Sequence, residues 1–360
     1  MSGLPIPEGP EQVTAEWLTE ALRESGVLGD ASVSRFEVES PSTGKGLLGR
    51  LAKIALRYQG EAAHAPASVI AKFHPAEPDL RRLVAEANLA EVRFYEEVAP
   101  SSELPTPSRY YSAFHEGTGQ SVLLIEDMSS MPMLSEIPGC AVEDVAVITR
   151  RLARFHSHWW DSPALEGLSW LKPFNKSVCF EFIGRPVERF FGPLPDSVAD
   201  VGRRIKKAYP RLFDLNSRPP LTIALNDLKA RHVFFWRPDG GGPEFAVIDF
   251  QLVVGARGPL DLARFFAGSL ATDVRRSAEI DLLREYHSIL LEEGVGGYSF
   301  AQCFDDYRLG HLQNLTDLMA VEAQDLQRRG GAHALKVQQV QLERYSAAIV
   351  DLDCAELLPD

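Results

Sequence analysis

The stretch Ala224-Leu225-Asn226-Asp227-Leu228-Lys229-Ala230-Arg231-His232-Val233-Phe234-Phe235 is followed, after a glycine turn, by Phe245-Ala246-Val247-Ile248-Asp249-Phe250-Gln251. Two apolar runs flank Asp239-Gly240-Gly241-Gly242-Pro243, a pattern that reads as a hairpin. Centred on Gly240 and Gly241, the hairpin would set His232 opposite Asp249 at its open end, with Asp227 one short loop earlier. Two carboxylates and an imidazole gathered beside apolar strands fit phosphoryl transfer. There, acidic ligands hold a metal that bridges phosphate oxygens, and another carboxylate orients the acceptor hydroxyl and takes its proton. A merely solvated hairpin end would not need strands this apolar.

Working outward, Ser68-Val69-Ile70-Ala71-Lys72-Phe73 puts a lysine near the end of an apolar strand expected over 67–73. Pro78 opens a helix expected to run to about Val98, before Pro100. Along it Leu80, Val84, Ala87, Phe94 and Val98 form an apolar stripe, and Glu91 falls inside that stripe. A carboxylate so placed either sits at the stripe's edge in water or pairs with a cation, and Lys72 is the candidate. Upstream, Gly44-Lys45-Gly46-Leu47-Leu48-Gly49 is a G-x-G-x-x-G lying between two strand-like runs within Ala31 to Tyr58. A dinucleotide fold would place it between a strand and a helix, so the context favours a turn that approaches phosphates, or an ordinary hairpin. Trp17, Leu18, Ala21 and Leu22 mark a helix over 13–25, and Gly119 to Asp127 reads as another buried strand. Beyond Val142 the pattern is mainly helical, broken by the Leu221 to Ala263 block of short strands and turns and resuming from Val274. The expected class is α+β, with a small sheet-bearing lobe ahead of a larger helical one.

Composition narrows the function. The 360 residues suffice for two domains or two lobes, and 45% hydrophobic with 24% charged residues describes an ordinary globular chain. A net charge of −13 argues against nucleic acid as a partner and mildly favours a neutral or cationic acceptor. Cys140, Cys179, Cys303 and Cys354 form no C-x-x-C pair, which excludes a zinc knuckle and a disulfide framework. No apolar run approaches the length of a membrane span and no secretory leader is visible, so a cytoplasmic protein is expected. His156-Ser157-His158 is unlike a metal pair, because i,i+2 residues on a helix point apart. Asp305, Asp306 and the Leu290 to Gly294 stretch fit a solvated face as well as an acceptor region.

Taken in chain order, the glycine-rich loop, Lys72, Glu91, Leu123-Leu124-Ile125-Glu126-Asp127-Met128, the Asp227 loop, Ile248-Asp249-Phe250-Gln251 and Gly258-Pro259-Leu260-Asp261-Leu262-Ala263-Arg264-Phe265-Phe266 resemble the aminoglycoside phosphotransferase and choline kinase-like superfamily. The chain is most similar there to the ecdysteroid kinase-like branch, over about Val33 to Leu315. The resemblance implies a bilobal protein-kinase-like fold, with an N-terminal antiparallel-sheet lobe over 1–127 and a helical catalytic and acceptor-binding lobe over 128–360. ATP would lie between the lobes, its adenine against Glu126 to Met128. Its phosphates would meet Gly44, Gly46, Gly49, Lys72 and Mg2+, with Glu91 orienting Lys72. Asp249 would ligate the metal, Asp227 would act as base, Lys229 would reach the transferred phosphate, and Asp261 would bond the backbone of the Asp227 loop.

One departure stands out. The superfamily's His-Gly-Asp-x-x-x-x-Asn reads Leu225-Asn226-Asp227-x-x-x-x-His232 here. A histidine in the metal position favours a softer ion such as Mn2+, or leaves Asp249 as the one ligand of the pair. The function implied is ATP-dependent O-phosphoryl transfer to a small-molecule hydroxyl. The alternative is a pseudokinase-like nucleotide-binding protein whose activity is lost or repurposed. Phe174, Phe180, Phe182, Phe190 and Phe191 suggest an apolar acceptor pocket or a core. The sequence leaves the acceptor and the oligomeric state open.

Overall fold

The computed structural model describes residues 3–39, 49–173, 195–320 and 323–358. Gly44 and Gly46 lie outside the described residues, as do Cys179 and the five phenylalanines between 174 and 191. Two units emerge: Met1–Pro132 together with Ala246–Gln251, and Met133–Phe245 together with Leu252–Asp360. In this division the first unit runs to Pro132, and a six-residue segment from late in the chain belongs with it.

The N-terminal unit opens with helix α1 (Ala15–Glu24), started by Thr14, whose hydroxyl accepts from the Trp17 N–H at 3.1 Å. Strands β1 (Ser32–Glu39), β2 (Arg50–Gln59) and β3 (Ser68–Phe73) follow, then α2 (Pro78–Leu83), α3 (Ala85–Arg93), a π-turn over Phe94–Val98, β4 (Arg109–His115) and β5 (Gln120–Glu126). The five strands form an antiparallel sheet in the order β1-β2-β3-β5-β4. The helix expected to run unbroken from Pro78 is in fact two pieces. Val84, at φ −103 and ψ 7, leaves helical geometry between them.

Alternation along the strands separates two faces. Ala52, Ile54 and Leu56 of β2, Val69, Ala71 and Phe73 of β3, and Val122 and Leu124 of β5 share one buried core with Trp17, Leu18, Ala21 and Leu22 of α1. Leu51, Lys72 and Leu123 pair across the sheet on the opposite face, next to Lys53, Ile70 and Ile125. Lys72 therefore stands on an apolar face that the α1 core does not cover.

The second unit contains α4 (Val142–Trp159), α5 (Ala164–Gly167) and α6 (Asp196–Asn216). Strand β6 (Thr222–Ala224) follows, then β7 (Val233–Trp236), β8 (Glu244–Val247) and β9 (Val254–Ala256). The last helices are α7 (Pro259–Ser269), α8 (Thr272–Glu292), α9 (Phe300–Ala320) and α10 (Ala323–Asp351). β6 pairs antiparallel with β9, and β7 pairs with β8 around the predicted glycine turn, so β8 carries the chain toward Ala246–Gln251. Helix α7 is buried along most of its length, and α9 crosses it closely. A Cβ on Gly310 would stand 2.6 Å from Ala263 Cβ and 3.2 Å from Leu260 Cα, so only glycine fits there. No helix among the described residues is long and apolar enough to cross a membrane.

A fully buried histidine on α9 makes this unit sensitive to acid. Burial, reinforced by the nearby Arg275 guanidinium, lowers the His311 pKa to about 3, so the folded protein holds the ring neutral. The unfolded chain takes up a proton below its ordinary value near 6.5 and the folded chain does not, so stability falls as pH drops from about 6.5 toward 3. Between pH 6.5 and 4.5 this one group should cost about 2–3 kcal/mol. Urea melts of wild type and His311→Leu at both pH values check it: the variant should lose that much less on acidification. Equal losses would show that other groups set the acid limit.

Candidate active site

In the N-terminal unit the chemistry centres on Lys72. Its Nζ donates to Glu91 Oε1 at 2.6 Å and lies 4.0 Å from Asp249 Oδ1. Helical spacing had singled out Glu91 as the stripe carboxylate that needs a cation, and the pair it forms with Lys72 is the one expected. Desolvation works against a buried ammonium, but the two carboxylates outweigh it and raise the Lys72 pKa, so the amine stays charged. Lys72 keeps 25% and Asp249 35% of its side chain exposed, so both remain accessible to a ligand.

Asp249 is held in place through its neighbours. Phe250 is fully buried and stacks on Phe94 with centroids 3.9 Å apart and planes 11° apart, while Tyr95 meets it edge-on at 5.4 Å. The Phe250 N–H points at Glu91 Oε1 at 3.4 Å, and Gln251 Nε2 donates to Asn88 Oδ1 at 2.8 Å. These contacts explain why a segment so late in the sequence belongs to this unit. Asp249 itself adopts φ 71, a left-handed conformation that is rare away from glycine and that aspartate tolerates better than most residues.

Of the expected phosphate loop, Gly49 is described. A Cβ there would approach the Phe73 carbonyl oxygen to 2.6 Å, so packing alone demands glycine at this position. At the end of β5, Glu126 accepts from the Ser108 N–H at 3.1 Å and its hydroxyl at 3.0 Å, and Met128 is buried. Between them Asp127 accepts from Ser68 Oγ at 2.6 Å, the Ser129 N–H at 2.9 Å and Lys53 Nζ at 3.0 Å. Burial raises its pKa, yet these donors more than offset that and lower it to about 2. Sequence reasoning missed the Lys53–Asp127 pair, whose partners are 74 residues apart.

In the second unit the loop after β6 is built on Asp261 of α7. Its carboxylate accepts from the backbone N–H groups of Leu225 at 2.7 Å and Asn226 at 2.6 Å. His156 Nε2 is 3.2 Å from the same carboxylate and therefore carries the hydrogen, leaving His156 Nδ1 to accept from the Tyr286 hydroxyl at 2.8 Å. His156, Asp261 and Tyr286 are all fully buried. His156 thus helps hold the Asp261 carboxylate under the loop. Asn226 sits at φ 61, so it supplies the left-handed turn for which the superfamily pattern uses glycine, and its amide donates to the Leu252 carbonyl at 3.0 Å.

Asp227 follows. Lys229 Nζ donates to its Oδ2 at 2.7 Å, and Arg264 donates to its Oδ1 from Nη2 at 2.6 Å and from Nε at 3.0 Å. Burial alone would raise the carboxyl's pKa. The charges of Lys229, Arg264 and His232 reverse that and hold it far below the usual carboxylate range. His232 Nδ1 lies 3.0 Å from the Asp227 backbone carbonyl, which can only accept, so Nδ1 carries a hydrogen whether the ring is charged or not. The contact of Arg264 with Asp227 and its α9 partners were not anticipated, although Arg264 stands three residues after Asp261 and so shares its helix face. Asp306 is neither solvated nor part of this cluster, being buried against Arg257 and the Tyr298 hydroxyl.

The donor set bears on a metal. Among the described residues no three His, Cys, Asp or Glu side chains gather into a ready-made cation site. Within the first unit Asp249 offers one accessible hard carboxylate oxygen, and within the second His232 offers an imidazole nitrogen.

Comparisons with known proteins agree with this geometry at the level of fold. A putative aminoglycoside phosphotransferase from Ralstonia eutropha JMP134 superposes with a TM-score of 0.54 at 14% identity, covering 92% of this chain and 98% of that one. Choline kinase from Cryptosporidium parvum Iowa II gives 0.57 at 10% identity, covering 96% and 98%. An aminoglycoside phosphotransferase solved with GDP and kanamycin gives 0.53 at 13% identity, covering 88% and 96%. A family model described as "Uncharacterized oxidoreductase dhs-27" matches residues 231–351, about a third of the chain. No curated protein matches the sequence. The fold expected from that resemblance is borne out: the chain has the kinase-like α+β fold of these phosphotransferases.

Proposed function

We propose that this protein is a nucleotide-dependent O-phosphotransferase, with ATP as donor and a small-molecule hydroxyl as acceptor. The observation that carries the reading is the Lys72–Glu91–Asp249 constellation: a charged amine held by a buried carboxylate, beside an accessible carboxylate in a left-handed turn. Lys72 contacts the nucleotide phosphates, Glu91 keeps the amine oriented, and the backbone near Gly49 approaches those phosphates. Asp249 and His232 would hold Mg2+ or Mn2+, which when bound neutralises charge on the phosphate oxygens.

Asp227 accepts a hydrogen bond from the acceptor hydroxyl. The hydroxyl oxygen forms the new bond to the γ-phosphorus as the bond to the bridging oxygen of the leaving nucleoside diphosphate breaks. Because neighbouring cations keep Asp227 so weakly basic, its main part is orientation, and the proton leaves late, once the attacking oxygen has begun to bond to phosphorus. Lys229 faces the same reaction with positive charge. A non-catalytic nucleotide-binding protein is the second reading, and His232 in place of the usual asparagine is what favours it.

Thermal stability with ATP or a non-hydrolysable analogue, each with Mg2+ or Mn2+, tests the proposal. Nucleotide at about 100 times its dissociation constant stabilises by roughly 2.7 kcal/mol, a shift of a few degrees. Metal-dependent stabilisation is expected in wild type, with Asp249→Asn losing the metal requirement or the shift. No shift with either metal would overturn the nucleotide reading. Stabilisation without turnover on Mg2+ or Mn2+ would favour the non-catalytic one.

A further inference from the structure

Arg264 is tied to Asp227 more tightly than a packing residue needs to be. Its Nε and Nη2 both reach Asp227 Oδ1, and its Nη1 donates to Asp317 Oδ2 at 2.7 Å and to Asn314 Oδ1 at 3.3 Å, both on α9. Gln313 Nε2 fixes the other oxygen of Asp317 at 2.9 Å. Asp227, Arg264 and Asp317 keep 12%, 15% and 13% of their side chains exposed. With Lys229 on Asp227 Oδ2, two carboxylates and two cations balance. A guanidinium is a rigid planar fork, so three of its nitrogens engaged on two anions from different elements fix both its plane and the carboxylate it meets. The α7–α9 crossing is already secured by Gly310 and apolar contacts, so the network is not what holds those helices together.

We propose that Arg264, anchored by Asp317, is a positioning residue for phosphoryl transfer: it fixes the Asp227 carboxylate in the orientation that receives the acceptor hydroxyl. The inference rests on the assignment of Asp227 made above. Asp317 sets the direction of the guanidinium and balances its charge, and lysine at 264 would keep the charge but lose the fork.

The test uses the full chain with ATP, Mg2+ or Mn2+, and water as the acceptor, so that no acceptor need be known. Arg264→Gln should lower kcat by about 30- to 100-fold while KM for ATP stays within about twofold. Arg264→Lys should fold normally, as its melting temperature would show, yet remain about tenfold below wild type, and Asp317→Asn should lose about three- to tenfold. If Arg264 acts only through Asp227, Arg264→Gln in an Asp227→Asn background adds less than about twofold. Wild-type kcat in Arg264→Lys and Arg264→Gln, or a full additive loss in the double variant, overturns the inference while Asp227 keeps its role. An undiminished rate in Asp227→Asn, or no hydrolysis by wild type with either metal, overturns the functional reading and this inference with it.

Discussion

Asp227→Asn is expected to lower kcat for phosphoryl transfer by about three orders of magnitude or more while leaving nucleotide-induced stabilisation intact. The two halves of that result come from different parts of the chain. Nucleotide recognition is assigned to Lys72, Glu91 and Asp249 in the N-terminal unit, and Asp227 belongs to the other. An amide of the same shape lacks the charge that Lys229 and Arg264 balance, and its NH2 presents donors where an acceptor is required. Phosphoryl transfer depends almost wholly on positioning and charge, so on the role proposed for Asp227 its loss is not made up elsewhere. Rapid-quench measurement of γ-phosphate release under single-turnover conditions reads the step directly. A rate within tenfold of wild type would assign the acceptor's hydrogen bond to a different residue.

The largest effect on stability is expected at Phe250. Its ring is fully buried between Phe94 and Tyr95, and truncation to alanine removes both a stacked and an edge-on partner from a site closed on all sides. Phe250→Ala should cost about 3–5 kcal/mol in guanidinium melts, against less than about 0.5 kcal/mol for Leu83→Ala, whose side chain is 72% exposed. The same change frees the backbone that presents Asp249, so nucleotide stabilisation should weaken in parallel. A cost below about 1 kcal/mol would mean that the segment rests on the unit rather than completing its core.

Much of this was readable before any coordinates. The periodicity that placed Glu91 on an apolar stripe, and the argument that a buried carboxylate needs a cation, lead to the Lys72 pair now seen at 2.6 Å. Strands β3 and β5 and helix α1 fall within two residues of the runs that predicted them, because alternation and amphipathic spacing are local signals. What escaped was non-local or geometric. The break at Val84 carries no glycine or proline to announce it. The Arg264–Asp317 and Lys53–Asp127 pairs join residues 53 and 74 positions apart, and no periodicity links them. Asn226 looked like a loss from the superfamily pattern, yet its left-handed backbone preserves what the missing glycine provides.

The ownership of Ala246–Gln251 by the N-terminal unit bears on how such a protein can be recombined. A gene fragment ending at Pro132 encodes the sheet and its helices but omits the ring that closes over Phe94 and Tyr95, so it would leave an apolar socket open to water and prone to self-association. A chimera that exchanges the first 132 residues between two homologues inherits the socket from one parent and the plug from the other. Successful exchanges should be those in which residues 246–251 travel with the sheet, and the natural unit of inheritance is therefore split along the gene.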